Sequence, residues 1–215
     1  MDNSFSIFKQ PASFAVYLIK MNISAESLNE LIKNRRSVFP AQFDTSKKIP
    51  DEIIHQILEN AGWAPNHGKT EPWYFRVFTG KGLATFAKLQ SDLYRELSGD
   101  SFKEDKFISL QQKPLLASHI ISIGMRRTVT KKIPEIEDIE AVACAVQNMY
   151  LTAAAYGVGA YWTTGGVTYF DQAKYHFGLG EQDKLLGFFY LAHIAVPSAS
   201  GTRRPIEEKS DWVVE

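Results

Sequence analysis

The sequence predicts an α+β protein, with helices packed around a sheet and no doubly wound parallel array. Three observations carry that expectation. Helical and strand patterns are intermixed without a regular βαβ alternation. Two continuous apolar runs, residues 115–124 and 185–195, have the length and composition of buried strands. Residues 136–156 form a long helical pattern that is apolar on nearly every side from Ala141 to Ala155 and stops at Gly157, so it is read as the central buried helix.

The remaining elements follow in chain order. Residues 1–22 are set apart as an N-terminal extension, in which Met21 offers an alternative start, and 23–215 are taken as one domain. The first helix is expected over 24–35. Ser24 suits its N-cap and Glu26 its first turn, and Leu28, Leu31 and Ile32 form a stripe expected to face inward. A second helix, 51–62, follows Pro50 and turns Ile53, Ile54, Ile57, Leu58 and Ala61 inward. A polar loop from Ala64 to Pro72 leads into a strand at 73–79 and a helix at 81–97. Residues 98–113 are polar and partly helical in pattern, and 126–134 read as a basic surface loop with Arg126, Arg127, Lys131 and Lys132 solvated. A short strand at 159–163, a short helix at 170–177 and a polar tail at 197–215 complete the chain.

Composition removes several function classes. With 45% hydrophobic and 22% charged residues the chain has an ordinary globular make-up, which argues against long disorder or a coiled coil. Its 24 basic and 24 acidic residues leave no cationic excess for a phosphate backbone, so no nucleic-acid partner is expected. No apolar run approaches the ~18 residues of a membrane span, and the N-terminal residues lack the basic region of a signal peptide. The single cysteine, Cys144, cannot close a disulfide within the chain, which fits a reducing, cytoplasmic setting. The segment beginning Gly157-Val158-Gly159 lacks the third glycine of a dinucleotide fingerprint, and P-loop, nucleophile-elbow, HExxH and CxxC patterns are absent. The five histidines show no metal-ligand spacing, so no metal is expected.

Four segments remain as carriers of chemistry. Arg35 continues the face of Leu28 and Leu31, and Arg36 that of Ile32. An inward guanidinium requires a partner, for which an external anion such as a phosphate is suited. The alternative is that the helix ends by Asn34 and both arginines are solvated at its negative pole. Arg203 and Arg204, before Pro205, are either a second anion contact or part of a solvated tail. His67, in the loop from Ala64 to Trp73, is either a ligand donor or structural. The segment from Tyr161 to Gly166 offers threonine hydroxyls and glycine backbone to a planar heterocycle, or is a tight turn.

Taken in order, these segments resemble the FMN-dependent nitroreductase family, in particular its short single-domain bacterial branch, over residues 23–205. Arg35, Arg36 and Ser37 match the family's helix-ending Arg-Arg-Ser, which binds the FMN phosphate and ribityl chain. Ala64-Pro65 through Glu71-Pro72-Trp73 match its Ala-Pro to Gln-Pro-Trp loop, with Glu71 in place of Gln and Lys69 where Asn is common. Gly159 to Trp162, followed by Thr163, Thr164 and Gly165, match the segment beside the isoalloxazine. Residues 181–191 match a strand signature of the branch, and Arg203-Arg204-Pro205 a second phosphate clamp.

The resemblance implies a three-layer fold, a mostly antiparallel sheet flanked by helices, and an obligate homodimer with two FMN sites at its interface. It places Arg35 and Ser37 of one chain beside Trp162, Thr163 and Thr164 of the other, and gives His67 a polar contact to the ring or ribityl chain. The implied activity is ping-pong hydride transfer from NAD(P)H through FMN to an oxidised small molecule such as a nitroaromatic or a quinone. No residue is nominated as a catalytic acid or base. Two alternatives stand beside it: a flavin-storage protein without turnover, and another flavin enzyme on the same scaffold, such as a dehalogenase, a flavin-destroying oxidase or an enone reductase.

Overall fold

The structure, a computed structural model, describes residues 24–128 and 132–215. The N-terminal extension expected at 1–22 and the surface charge expected at Lys131 lie outside the described residues.

The sheet is built on strand β5 (Lys184–Ile194). It pairs antiparallel with β3 (His119–Met125) along one edge, with β4 (Val158–Thr163) along the other, and near its end with the two-residue β1 (Phe43–Asp44). β2 (Trp73–Thr79) adds to β3 over its whole length, Trp73 opposite Met125 and Thr79 opposite His119. Every pairing among the described residues is antiparallel.

All seven residues of β3 are buried, which explains why its sequence reads as one apolar run. Successive residues point to opposite faces. On one face Ile120, Phe188 and Tyr190 pack with Phe86 and Leu93 of α3 (Lys81–Leu97) and Phe107 and Leu110 of α4 (Glu104–Gln112). On the other, Ile121, Ile123, Phe189 and Leu191 pack with Ile54 and Ile57 of α2 (Asp51–Ala61) and Val142, Val146 and Met149 of α5 (Glu135–Ala155). Three layers result, two helical and one strand.

The β3–β5 ladder slips where Ile123 faces Gly187 and Gly124 faces Leu185, so Leu186 is an extra residue. Gly187 has φ 122°, and a Cβ there would lie 2.4 Å from the Thr163 carbonyl oxygen. The missing side chain is what lets β4 close against the bulge.

The first helix, α1 (Ala25–Asn34), corrects one expectation. Ser24 caps it, its Oγ accepting from the Ser27 amide at 3.2 Å. Yet it buries no residue, and Leu28 and Ile32 are 46% and 48% exposed. The stripe expected to face inward lies on the surface of the single chain.

Arg127 requires a second correction, whereas Arg126 is exposed as expected. Arg126 lies over the Tyr74 ring, 3.4 Å from its centroid, and donates to the Gly178 carbonyl. Arg127 is nearly buried and forms an ion pair with Asp138, whose side chain is 1% exposed. Its guanidinium also donates to the Ile133 carbonyl, and Asp138 accepts from Thr70 Oγ1 at 3.1 Å. A local basic run misleads because the partner acid stands in the first turn of α5.

Breaking this pair strands a charge in the interior. Arg127→Ala is expected to cost about 3–5 kcal/mol in urea unfolding, whereas replacing both members by apolar residues costs far less. Equal losses for the single and double variants would refute the account.

His119 is buried, its Nε2 3.1 Å from Asp51 Oδ1, and burial holds its pKa below the ordinary histidine range. Its folded pKa being the lower one, the associated stability is full above the unfolded value of about 6.5 and is lost as pH falls toward the folded pKa. Urea unfolding is expected to show that loss between pH 7 and pH 5, and a smaller slope in His119→Phe. Identical slopes would count against it.

Candidate active site

α1 stops at Asn34 because Arg35 leaves helical geometry, with φ −57° and ψ 128°. The early helix end is therefore the correct reading, but the arginines are not simply solvated. Both are half-buried, and each is held differently.

The Arg35 guanidinium sits over the Tyr150 ring, 4.8 Å from its centroid. The Tyr150 hydroxyl accepts from the Trp162 amide at 2.7 Å and lies 3.4 Å from Ser37 Oγ. The ring meets Phe189 edge-on at 4.7 Å, which locks it against the sheet. One side chain of α5 thereby joins Arg35, Ser37 and Trp162 within one chain. Ser37 and the Trp162 amide are thus neighbours already within one chain. Tyr150 was not singled out in the sequence, although a tyrosine in an Ala-rich buried helix signals a hydroxyl that needs a partner.

Arg36 donates from Nη1 to the carbonyls of Lys33 (2.5 Å) and Arg35 (2.9 Å). Its Nε is buried with no acceptor among the described residues. Gly201 lies against it; a Cβ at that position would come within 3.0 Å of the guanidinium carbon. Arg35, Arg36, Arg203 and Lys33 line a cleft of about 570 Å³, together with Asn34, Ile32, Gln147 and Gly201. Among the described residues, the lining holds four cationic side chains and no carboxylate. Buried N–H donors keep partners in nearly all native structures, so the orphaned Nε and the uncompensated charge fit a bound phosphate-like anion. Arg204 is exposed and is not part of the lining.

The other expected residues fall elsewhere. The Trp162 indole donates to the Leu186 carbonyl at 3.1 Å, anchoring it on the bulge. Thr163 and Gly165 line a separate, smaller cavity against α4, with Thr163 Oγ1 accepting from the Gly165 amide at 3.2 Å. Thr164, between them, is exposed. His67 lines a third cleft with Glu137, Glu140 and Cys144, and its Nδ1 is 2.6 Å from Glu137 Oε2. Its loop is strained: Lys69 and Glu71 hold φ of 56° and 43° without being glycine. The Glu71 amide, donating to Asn66 Oδ1, and the Thr70–Asp138 bond hold that geometry. The two positions that depart from the resembled pattern are thus the two non-glycine residues in left-handed conformation among the described residues.

Comparison with known proteins gives a consistent result. The model of the family described as "Nitroreductase family" matches residues 32–193. The Escherichia coli K12 protein named "Putative NAD(P)H nitroreductase YdjA" is 32% identical over 162 residues, covering 75% of this chain and 85% of its own length. A nitroreductase-like family protein from Bacillus cereus superposes with a TM-score of 0.73 at 26% identity, covering 90% of this chain and 99% of its own. The FMN-dependent nitroreductase NfnB from Mycobacterium smegmatis, solved in complex with NADPH, superposes at 0.67 with 17% identity, covering 88% and 99%, and so shares the fold.

Removing the Tyr150 hydroxyl leaves the Trp162 amide without its acceptor. Tyr150→Phe is expected to lose about 1–3 kcal/mol in urea unfolding. Ser37→Ala, which removes only the 3.4 Å contact, is expected to lose less than about 1 kcal/mol. Equal stability of Tyr150→Phe and the parent would show that the hydroxyl does not fasten the strand.

Proposed function

Because this chain belongs to the nitroreductase family, we propose that its basic cleft takes the phosphate of FMN and that the protein is an NAD(P)H-dependent oxidoreductase. The observation that carries this reading is the half-buried Arg36, whose Nε lacks an acceptor among the described residues, in a cleft they line with four cations and no acid. The FMN named for the structural relative from Mycobacterium smegmatis supports it.

In this reading residues 23–215 are one FMN-binding domain. Arg35, Arg36 and Arg203 bind the phosphate through charge-assisted bonds, with Arg204 beside them and Ser37 on the ribityl chain. Trp162, Thr163, Thr164 and Gly165 contact the ring, and His67 adds a polar contact. When bound, FMN supplies two-electron transfer between a nicotinamide and an oxidised acceptor such as a nitroaromatic or quinone. The chain itself orients the ring through the Tyr150–Trp162 bond and supplies cationic charge at the phosphate, and the reading requires no dedicated acid or base.

A homodimer in the cytoplasm belongs to the same reading. Leu28, Trp63, Leu151 and Tyr156 line an apolar cleft of about 510 Å³, with Trp63 80% exposed. A second copy covering that face removes the apolar exposure of α1. Among the described residues, no helix is long and apolar enough to cross a membrane.

FMN titration tests the assignment. Losing a charge-assisted contact is worth about 1.5–3 kcal/mol, so Arg36→Ala and Arg35→Ala are each expected to weaken FMN binding about ten- to a hundredfold. Arg35→Lys recovers part of the loss, since an ammonium lacks the guanidinium fork. Lys132→Ala, an exposed residue outside the cleft, is the control; the buried Arg127 is unsuitable. Failure of the parent to bind FMN, or equal dissociation constants for parent and arginine variants, would overturn the proposal. Bleaching of the bound flavin by NAD(P)H under nitrogen separates turnover from storage.

A further inference from the structure

The cavity against α4 is distinct in its chemistry from the arginine cleft. Lys106 and Lys113 line one wall, Thr163 and Gly165 a second, and Tyr161 and Tyr190 a third. Its open volume is about 90 Å³, room for roughly half a dozen waters and comparable to one small aromatic ring.

No carboxylate lines this cavity, and neither lysine forms an ion pair among the described residues. Lys106 is partly buried, and burial together with the neighbouring Lys113 ammonium holds its pKa below the ordinary lysine range. Lys113 is exposed and is satisfied by water, but the partly buried Lys106 beside it has no counter-charge among the described residues, and a bound anion would supply one. Tyr190 does not supply one, because burial raises its pKa and keeps the phenol neutral. Lys106 Nζ lies close to Gly165, about 3.4 Å from where a Cβ there would stand, so the ammonium faces the Thr163–Gly165 wall. Cationic charge on one wall and aromatic faces on another suit a planar aromatic ring bearing one negative charge.

We propose that this cavity recognises the carboxylate or phenolate of a small aromatic acceptor, and that Lys106 and Lys113 select anionic over neutral substrates. The proposal rests on the flavin reading, in which Thr163 and Gly165 also contact the ring, so that an acceptor held here lies beside it.

The test is direct binding, with no turnover required. Equilibrium dialysis of the FMN-loaded protein compares 4-nitrobenzoate with its neutral counterpart 4-nitrobenzamide. The expected result is a preference of about tenfold or more for the anion. Lys106→Met should reduce that preference to a few-fold, and Lys106→Met/Lys113→Met should abolish it. Retention of the preference in the double variant, or its absence from the parent, would overturn the proposal. So would an FMN dissociation constant that rises in Lys106→Met, because the lysine would then serve the cofactor. Reduction of the neutral quinone menadione by NAD(P)H is measured separately on the parent. If menadione is not reduced but the lysine-dependent preference holds, the oxidoreductase reading fails while the anion site stands.

Discussion

Strand β5 has buried side chains on both faces and bonded neighbours on both edges, and the rest of the architecture answers that constraint. Phe188 and Tyr190 require one helical layer, and Phe189 and Leu191 the opposite one. Neither layer suffices alone, because omitting either leaves a row of large apolar side chains in water. Its edges require β3 and β4, whose buried backbone groups must be paired. The candidate site is built where this order is interrupted. The extra residue at Leu186 and the missing side chain at Gly187 admit the Trp162 indole and bring the end of β4 close.

From there α5 carries the arrangement outward. Tyr150 presses its ring on Phe189 in the sheet and offers one face to Arg35 and its hydroxyl to Trp162. The cationic cleft and the strand end are therefore fixed to one buried helix. The other end of that helix carries Asp138, which through Arg127 and Thr70 holds the strained loop bearing His67. Two loops distant in sequence take their positions from opposite ends of a single element.

Much of this was legible in the sequence. The strand at Trp73–Thr79 and the helix at Lys81–Leu97 are found at their expected bounds, because a Pro-Trp start and a Thr-Gly stop are local signals. Arg35, Arg36 and Arg203 come together at one cleft, and Thr163 and Gly165 at one cavity. What local pattern could not convey were partners remote in the chain. The acid for Arg127 is eleven residues away across a loop, and the hydroxyl on the Trp162 amide is twelve residues away across a helix end. Residues 98–113 read as polar and partly helical, as Glu104–Gln112 is, but only the folded arrangement shows that Lys106 turns toward Thr163 and Gly165. The stripe on α1 was read correctly as apolar but placed wrongly, because periodicity identifies a face and not what covers it.

Chain order adds a consequence for synthesis. β5 is the last strand, yet it joins segments beginning at residues 43, 119 and 158. While the chain emerges from the ribosome, β2 and β3 can pair as soon as both are released, but β3 keeps an open apolar edge until residue 191 follows. Loop closures of such length are slow to reward their entropy cost. An unfinished chain therefore presents a hydrophobic strand edge for much of its translation, the kind of surface that chaperones shield and that aggregates when left unguarded.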